Sequence, residues 1–325
     1  MQWWIQIGLL GLFGWTLIRA HVSKEAVARV FVVSLLPVAL FGCWQFAVQH
    51  VDAMKWLGVA AQDPRTLGVA VVETIDFRVL RVYGSFPHPN IFGGWLAIGF
   101  VVSVWLASRA SRKLFAIGWS LASTLLAVAL LLTFARGAWI AAIVGIFLVL
   151  IRMWTMRVGA TRRVAPTDAL SIQYAAITLL CSAIIVGVIG YEQRVFVFSR
   201  VEAQGRLETK SFDERTQSLK DGVSIFLKHP IFGSGPNAEM LELNQKTSVP
   251  LQPPHDVFLL SLDDFGIAGV VLLGWLLIRY RNFVKSRFLS GYWILIPLCL
   301  LGLFDHYPMS LWAGESLVFV TFLLA

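Results

Sequence analysis

Windows of eighteen or more mostly apolar residues recur along almost the whole chain. Each is long enough to cross the roughly 30 Å hydrocarbon core of a bilayer as a helix. No other feature constrains the fold as strongly. In hydrocarbon every backbone N–H and C=O must find a partner within the chain, so such runs become helices. Charged residues make up only 14% of the 325 residues, against about 25% in a soluble domain. The chain is therefore expected to be all-α: a single polytopic integral membrane domain over residues 1–325 with about nine transmembrane helices. The expected spans are 3–20, 29–49, 91–108, 114–133, 137–154, 170–190, 256–278, 291–304 and 308–325. The first, WWIQIGLLGLFGWTLIRA, lacks a basic stretch before it and reads as a span rather than a cleavable signal. The sequence begins and ends in apolar residues, MQWW and TFLLA, so truncation at the N-terminus is expected. Cys43, Cys181 and Cys299 each fall inside a span and are expected to be buried thiols, not a disulfide framework.

Basic residues orient the spans. One set of short loops carries Arg19, Lys24 and Arg29; Arg109, Arg112 and Lys113; Arg152, Arg157, Arg162 and Arg163; and Arg279, Arg281, Lys285 and Arg287. These are fourteen of the 27 basic residues. Dense positive loops mark the cytoplasmic side of a membrane protein. The net charge of +8 thus reflects topology and membrane lipids, and no nucleic-acid partner is expected. Two long polar segments then lie outside: a first periplasmic loop, 50–90, and a large periplasmic loop, 191–255, containing short amphipathic helices. Leu219, Val223, Phe226 and Leu227 give helical spacing on one face within 213–229. Such a helix would lie on the outer membrane surface or cap a cavity.

Unusual polar residues gather on that same outer side. Arg81, His88 and Asn90 end the first outer loop in RVYGSFPHPNIFGGW. Arg136 sits in the TFARGAW turn, and Arg215 and His229 in the second outer loop. Then QPPHDVFLLSLDDFGIAGVVLL opens a span with His255 and Asp256 and carries Asp263 and Asp264 about two turns in. Asp305 and His306 follow in FDHYP. Ionisable groups at membrane depth are costly and usually functional. Each also has a plainer role. For Arg136 it is that of a snorkelling arginine at a turn, and for His88 that of a loop residue between prolines. His229 reads as a helix-end residue, and Asp305 with His306 as an interfacial pair. Asp256 reads as a helix N-cap or first-turn acid. Asp263 and Asp264 lie too deep for surface charges, so one should face a polar cavity or meet Arg136 or Arg215.

The set contains no metal-ligand spacing, P-loop or GxSxG, and no metal or cofactor is expected. Arginine forks match diphosphate oxygens and keep their charge. A histidine can take a proton from an attacking hydroxyl near neutral pH. Together they suit glycosyl transfer from a lipid-linked diphosphate. A transporter or flippase of lipid-linked sugars, without bond chemistry, is the alternative; it should carry a polar path through the whole bilayer.

From about residue 80 to 305 the chain resembles the O-antigen ligase and O-antigen polymerase superfamily. The motifs GSFPHPNIFGGWLA, TFARGAWIAA, an arginine thirteen residues before HPIFGSGPN, and PPHDVFLLSLDDFGIAGVVLL occur in the family's order. The resemblance implies a GT-C-like membrane glycosyltransferase of the bacterial inner membrane, with its active site facing the periplasm. It would move a glycan from undecaprenyl diphosphate to a lipid A-core, growing polysaccharide or other envelope acceptor. It assigns the diphosphate to Arg136 and Arg215, less strongly to Arg81, and gives His255 the role of activating the acceptor hydroxyl or assisting at the phosphate. Asp256, Asp263, Asp264 and Asp305 would orient these groups. The chain departs from the family pattern at Asp256, at the paired Asp263 and Asp264, and at Ala135.

Overall fold

The computed structural model describes residues 2–74, 77–159, 166–202, 206–236, 238 and 253–325. Arg162 and Arg163, counted above among the basic loop residues, and most of 237–252 lie outside these. The helices are α1 (Gln2–Arg19), α2 (Lys24–Val48), α3 (Pro89–Ser108), α4 (Lys113–Leu132), α5 (Arg136–Gly159) and α6 (Pro166–Glu192). The second long loop contributes α7 (Arg194–Glu202) and α8 (Arg206–Lys228). Then come α9 (Val257–Arg279), α10 (Arg281–Phe304), α11 (Tyr307–Ser310) and α12 (Trp312–Leu324). Seven helices among the described residues are long and apolar enough to cross a membrane: α2 to α6, α9 and α10. In the first loop a short antiparallel hairpin pairs β1 (Val71–Glu73) with β2 (Arg78–Leu80).

The bundle is built around α3, which is buried along most of its length and packs against α2, α4, α5, α6 and α10. Small residues make this possible, because lipid tails offer no hydrophobic drive between helices and close backbone approach must supply the contact. A Cβ on Gly93 would meet Ala135 at 2.9 Å, and one on Gly99 would meet Leu35 at 2.6 Å. Hydroxyls add cross-helix bonds, Ser103 to Ser123 at 2.7 Å and Thr124 to Ser182 at 3.2 Å. Buried Gln45 of α2 ties down the end of the first loop. Its Oε1 accepts from the Tyr83 and Gly84 N–H groups and its Nε2 donates to the Gly84 carbonyl.

Three expectations need correction. The last expected span, 308–325, is broken: α11 ends at Ser310, Leu311 is extended, and α12 has 13 residues. At 1.5 Å per residue that is about 20 Å, short of a full crossing. The break follows from Pro308 and from Gly314, which is seated directly on the Tyr307 carbonyl where no side chain fits. In α1 the described apolar helix, Ile5–Arg19, is also shorter than a full span. Second, α10 starts at Arg281, ten residues before the expected 291. Its cationic first turns are good helix formers that hydropathy ignores. Third, Cys181 and Cys299 are exposed on the bundle surface and Cys43 is half-buried. Helices that are apolar all round do not reveal which face meets lipid. The amphipathic helix expected within 213–229 is part of α8: Ser218, Gly222 and Ile225 are buried, and Leu219, Val223 and Leu227 of the apolar stripe are exposed. The stripe fits a helix lying in a membrane interface.

The feature that most shapes the functional end of the bundle is a break in α9. Gly266 has φ 61° and ψ −167°, a combination open essentially to glycine. The break frees backbone groups on both sides, and the HPIFGSGP loop takes them up. Ser234 and Gly235 N–H donate to the carbonyls of Asp263 and Asp264 at 2.7 and 3.1 Å. In return Ile267 and Ala268 N–H donate to the carbonyls of Pro230 and Ile231, both at 2.9 Å. Gly233, also at positive φ, lets the two backbones touch. A Cβ there would lie 2.5 Å from the Asp264 carbonyl oxygen. The two motifs, thirty residues apart, thus complete each other's hydrogen bonding, and they fix α8 against the start of α9.

Candidate active site

The carbonyl end of α4 anchors the site. Helix C-termini leave carbonyls without intrahelical partners and attract cations. In the TFARG turn Phe134 adopts φ 51°, and two arginines from distant segments reach its carbonyls. Arg81 Nε donates to Thr133 O at 2.7 Å, and Arg200 Nε and Nη2 donate to Phe134 O at 3.3 and 3.2 Å. Arg136, the first residue of α5, donates from Nη1 to Arg200 O at 3.0 Å. The three guanidinium groups are therefore gathered around one turn.

From Arg81 a buried polar chain leads to the histidines. Arg81 Nη2 donates to Asn90 Oδ1 at 2.7 Å, and Asn90 Nδ2 donates to Asp305 Oδ2 at 2.9 Å. Asp305 Oδ1 accepts from the His306 backbone N–H at 2.9 Å and lies 3.5 Å from His255 Nδ1. The His255 and His306 rings lie 5.2 Å apart, and His306 Nδ1 is 2.6 Å from Ser310 Oγ. Asp305 is only 8% exposed. Burial alone would raise its carboxyl; His255, the charge of both imidazoles and the Asn90 amide together outweigh that and hold it well below the usual carboxylate range. Burial lowers His306 from the ordinary histidine value. Tyr307, whose ring is wedged against Gly94 of α3, holds this segment in place.

His255 and Asp256 do different work at the mouth of α9. Asp256 is the N-cap, accepting the Leu259 N–H at 2.8 Å. His255 precedes it and points into the cavity system. At the mouth of α3, His88 is the N-cap, its Nδ1 accepting from Asn90 N–H at 3.1 Å. Burial and then the Arg81 charge push His88 down to about 4.

Two chambers meet here. The first, about 550 Å³, is polar and lies between the β-hairpin, the cationic face of α8 and the histidines. The second, about 450 Å³, lies between α5, α7, α8 and α10 and holds Arg136 above apolar Ile140, Leu303 and Phe304. Those three side chains are themselves exposed on the bundle surface, so this chamber opens sideways. Asn90, Arg200, Arg215, His255, Asp305 and Tyr307 line both.

Of the residues singled out in the sequence, Arg81, Arg136, Arg215, His255 and Asp305 line the chambers. Asp256 is a cap. Asp263 and Asp264 are buried against α8 and the HPIFGSGP loop, and neither lines a chamber. A Cβ on Gly222 of α8 would come within 2.9 Å of Asp263 Oδ2. Arg200 escaped the sequence reading because nothing local marks it: it sits in an ordinary amphipathic stretch, VFVFSRVE. Donor atoms of His255, Asp305 and His306 all lie within 4.8 Å of one another, a spacing a metal ion could use.

A family model described as O-antigen ligase matches residues 121–274, from within α4 through the break in α9. Over that segment the chain is similar to the O-antigen ligase family, in agreement with the motif resemblance. The chain has the helices of a multi-pass membrane protein, and the family it resembles there acts on lipid-linked glycan donors and glycan acceptors. No curated protein matches the chain.

Proposed function

We propose that the protein transfers a glycan from undecaprenyl diphosphate to an acceptor hydroxyl, without a metal ion, at the outer face of a bacterial inner membrane. The observation that carries this reading is that His255 stands in the wall common to both chambers, backed by Asp305. The sideways-opening chamber takes the diphosphate and the first part of the lipid, with Arg136 and Arg215 on the phosphate oxygens and Ile140, Leu303 and Phe304 against the chain. The acceptor hydroxyl enters from the polar chamber. Its oxygen attacks the anomeric carbon as the bond from that carbon to the diphosphate oxygen breaks. The bonding electrons leave with undecaprenyl diphosphate, whose growing charge the arginines stabilise. The hydroxyl proton passes to His255. Because Nδ1 faces Asp305, Nε2 is the nitrogen assigned to the acceptor, and the carboxylate stabilises the imidazolium that forms. Arg81 acts one step back, holding Asn90 and through it Asp305.

Asp305 accepts one hydrogen bond on each oxygen, from Asn90 and from the His306 backbone, and these orient the carboxylate behind His255. The experiment is glycan transfer by protein reconstituted in liposomes, with polyprenyl-diphosphate-linked oligosaccharide, a mixed acceptor pool, and parallel reactions in EDTA. Transfer unaffected by EDTA is expected, and the acceptor consumed identifies the branch of the family. Loss of transfer in EDTA would overturn metal independence. Movement of intact donor across the liposome without transfer would establish a transporter instead.

A further inference from the structure

We propose that the polar chamber selects an anionic acceptor glycan, one bearing a carboxylate or phosphate near the hydroxyl that is glycosylated, and that Arg206 and Lys210 read that charge. Assigning the chamber to the acceptor rests on the transfer reading above. The charge preference itself does not.

The chamber is lined by Arg78, Arg81, Arg200, Arg206, Lys210 and Arg215, against the acids Glu214 and Asp305. Glu73 stands behind the wall, so six cations meet three acids. The inner cations are committed. Arg81 and Arg200 are bonded to the α4 turn, and Arg215 belongs equally to the second chamber, where the donor diphosphate is placed. Arg206 and Lys210 differ. They line only the polar chamber, on the α8 face one turn apart, and neither reaches the chamber that holds Arg136.

Their present partners are weak ones. Glu73 is shared between two cations, 3.5 Å from Arg78 Nε and 3.2 Å from Arg206 Nη2. Lys210 lies 3.7 Å from Glu214 on the same helix. The Arg206 side chain is 74% exposed and that of Lys210 67%. Solvent-exposed pairs of this kind are worth ~1 kcal/mol or less. An entering anion can therefore draw both side chains away from Glu73 and Glu214 at little cost. A cleft with surplus charge of one sign also concentrates ligands of the other. The diphosphate does not account for Arg206 and Lys210, because they line only the chamber that Arg136 does not reach.

The test is binding, so it does not depend on turnover. Purified full-length protein in detergent is titrated with three versions of one oligosaccharide, ending in glucuronic acid, in glucose 6-phosphate or in glucose. The acidic probes should bind about tenfold tighter than the neutral one, and the stronger of the two identifies the acidic group read. In R206A/K210A the preference should fall below about threefold, in R206E/K210E it should reverse, and in R206K/K210R it should persist. Both positions are exposed, and matched thermal melting of the variants guards against misfolding. Equal binding of neutral and acidic probes by the wild type would overturn the proposal. So would a preference that survives in R206A/K210A, because the inner arginines would then be reading the charge. A charge preference in a protein without glycan transfer would support the anionic ligand and overturn the transfer reading alone.

Discussion

At the mouth of α3, His88 turns its ring onto its own helix, accepts the Asn90 N–H and is pushed down to about 4, so it stays neutral near pH 7. At the mouth of α9 the same capping is done by Asp256, and the histidine one residue earlier is left to face both chambers with an aspartate behind it. The two histidines share a cavity wall, yet only His255 has the arrangement of a base. A histidine at the mouth of a helix is therefore not functional by position alone. What separates the two is which neighbour satisfies the helix.

Substitution should break the symmetry sharply. His255→Ala is expected to lower glycan transfer by about 10²- to 10⁴-fold, the usual range for a positioned acid or base. His88→Asn, which retains a good N-cap side chain, should stay within about threefold in the same assay. Next in size are the arginines of the lipid-side chamber. Arg136→Ala and Arg215→Ala should each raise the donor KM by about tenfold to a hundredfold, since a charged hydrogen bond is worth about 1.5–3 kcal/mol. Lysine at position 136 should recover only part of the loss, because it lacks the fork. Asp305→Asn keeps a side chain for Asn90 to meet but removes the charge behind His255. Transfer should fall by at least about tenfold and its dependence on pH should shift, whereas a purely structural role would leave the pH profile in place.

A separate effect is on stability and concerns His88 alone. Its value is lower in the folded protein than in the unfolded chain, so the unfolded chain binds the extra proton. Its contribution is complete above the ordinary histidine value of about 6.5 and is lost as pH falls from there towards about 4. The full shift corresponds to about 3 kcal/mol. Melting in detergent at pH 7.5 and at 4.5 should show this loss in the wild type and a smaller one in His88→Asn.

Much of this was legible in the sequence, for reasons that mark where legibility stops. Apolar length alone located α2 to α6, α9 and α10, because hydrocarbon permits nothing else. The outer-end residues Arg136, Arg215, His255 and Asp305 stood out because ionisable groups beside such spans are rare. The pairing of His255 with Asp305 was not legible, since fifty residues separate them and local spacing carries no trace of the contact. Nor was the break at Gly266. LLSLDDFGIAGVV reads as continuous helix, and the backbone groups freed there are answered by a loop thirty residues earlier. The depth of Asp263 and Asp264 was legible, but not that their carbonyls, bonded to Ser234 and Gly235, join the two motifs. Gly266→Ala should accordingly destabilise the protein by about 3 kcal/mol or more, as left-handed strain adds to a Cβ 2.5 Å from Gly233 N.

The most direct measurement of the central claim is made on His255→Ala at saturating donor: the rate of glycan transfer, beside the Kd for undecaprenyl diphosphate in the same preparation. An unchanged Kd with transfer all but lost is expected. Transfer within about threefold of the wild type would contradict it, because the group placed between donor and acceptor would then not be the one that takes the proton.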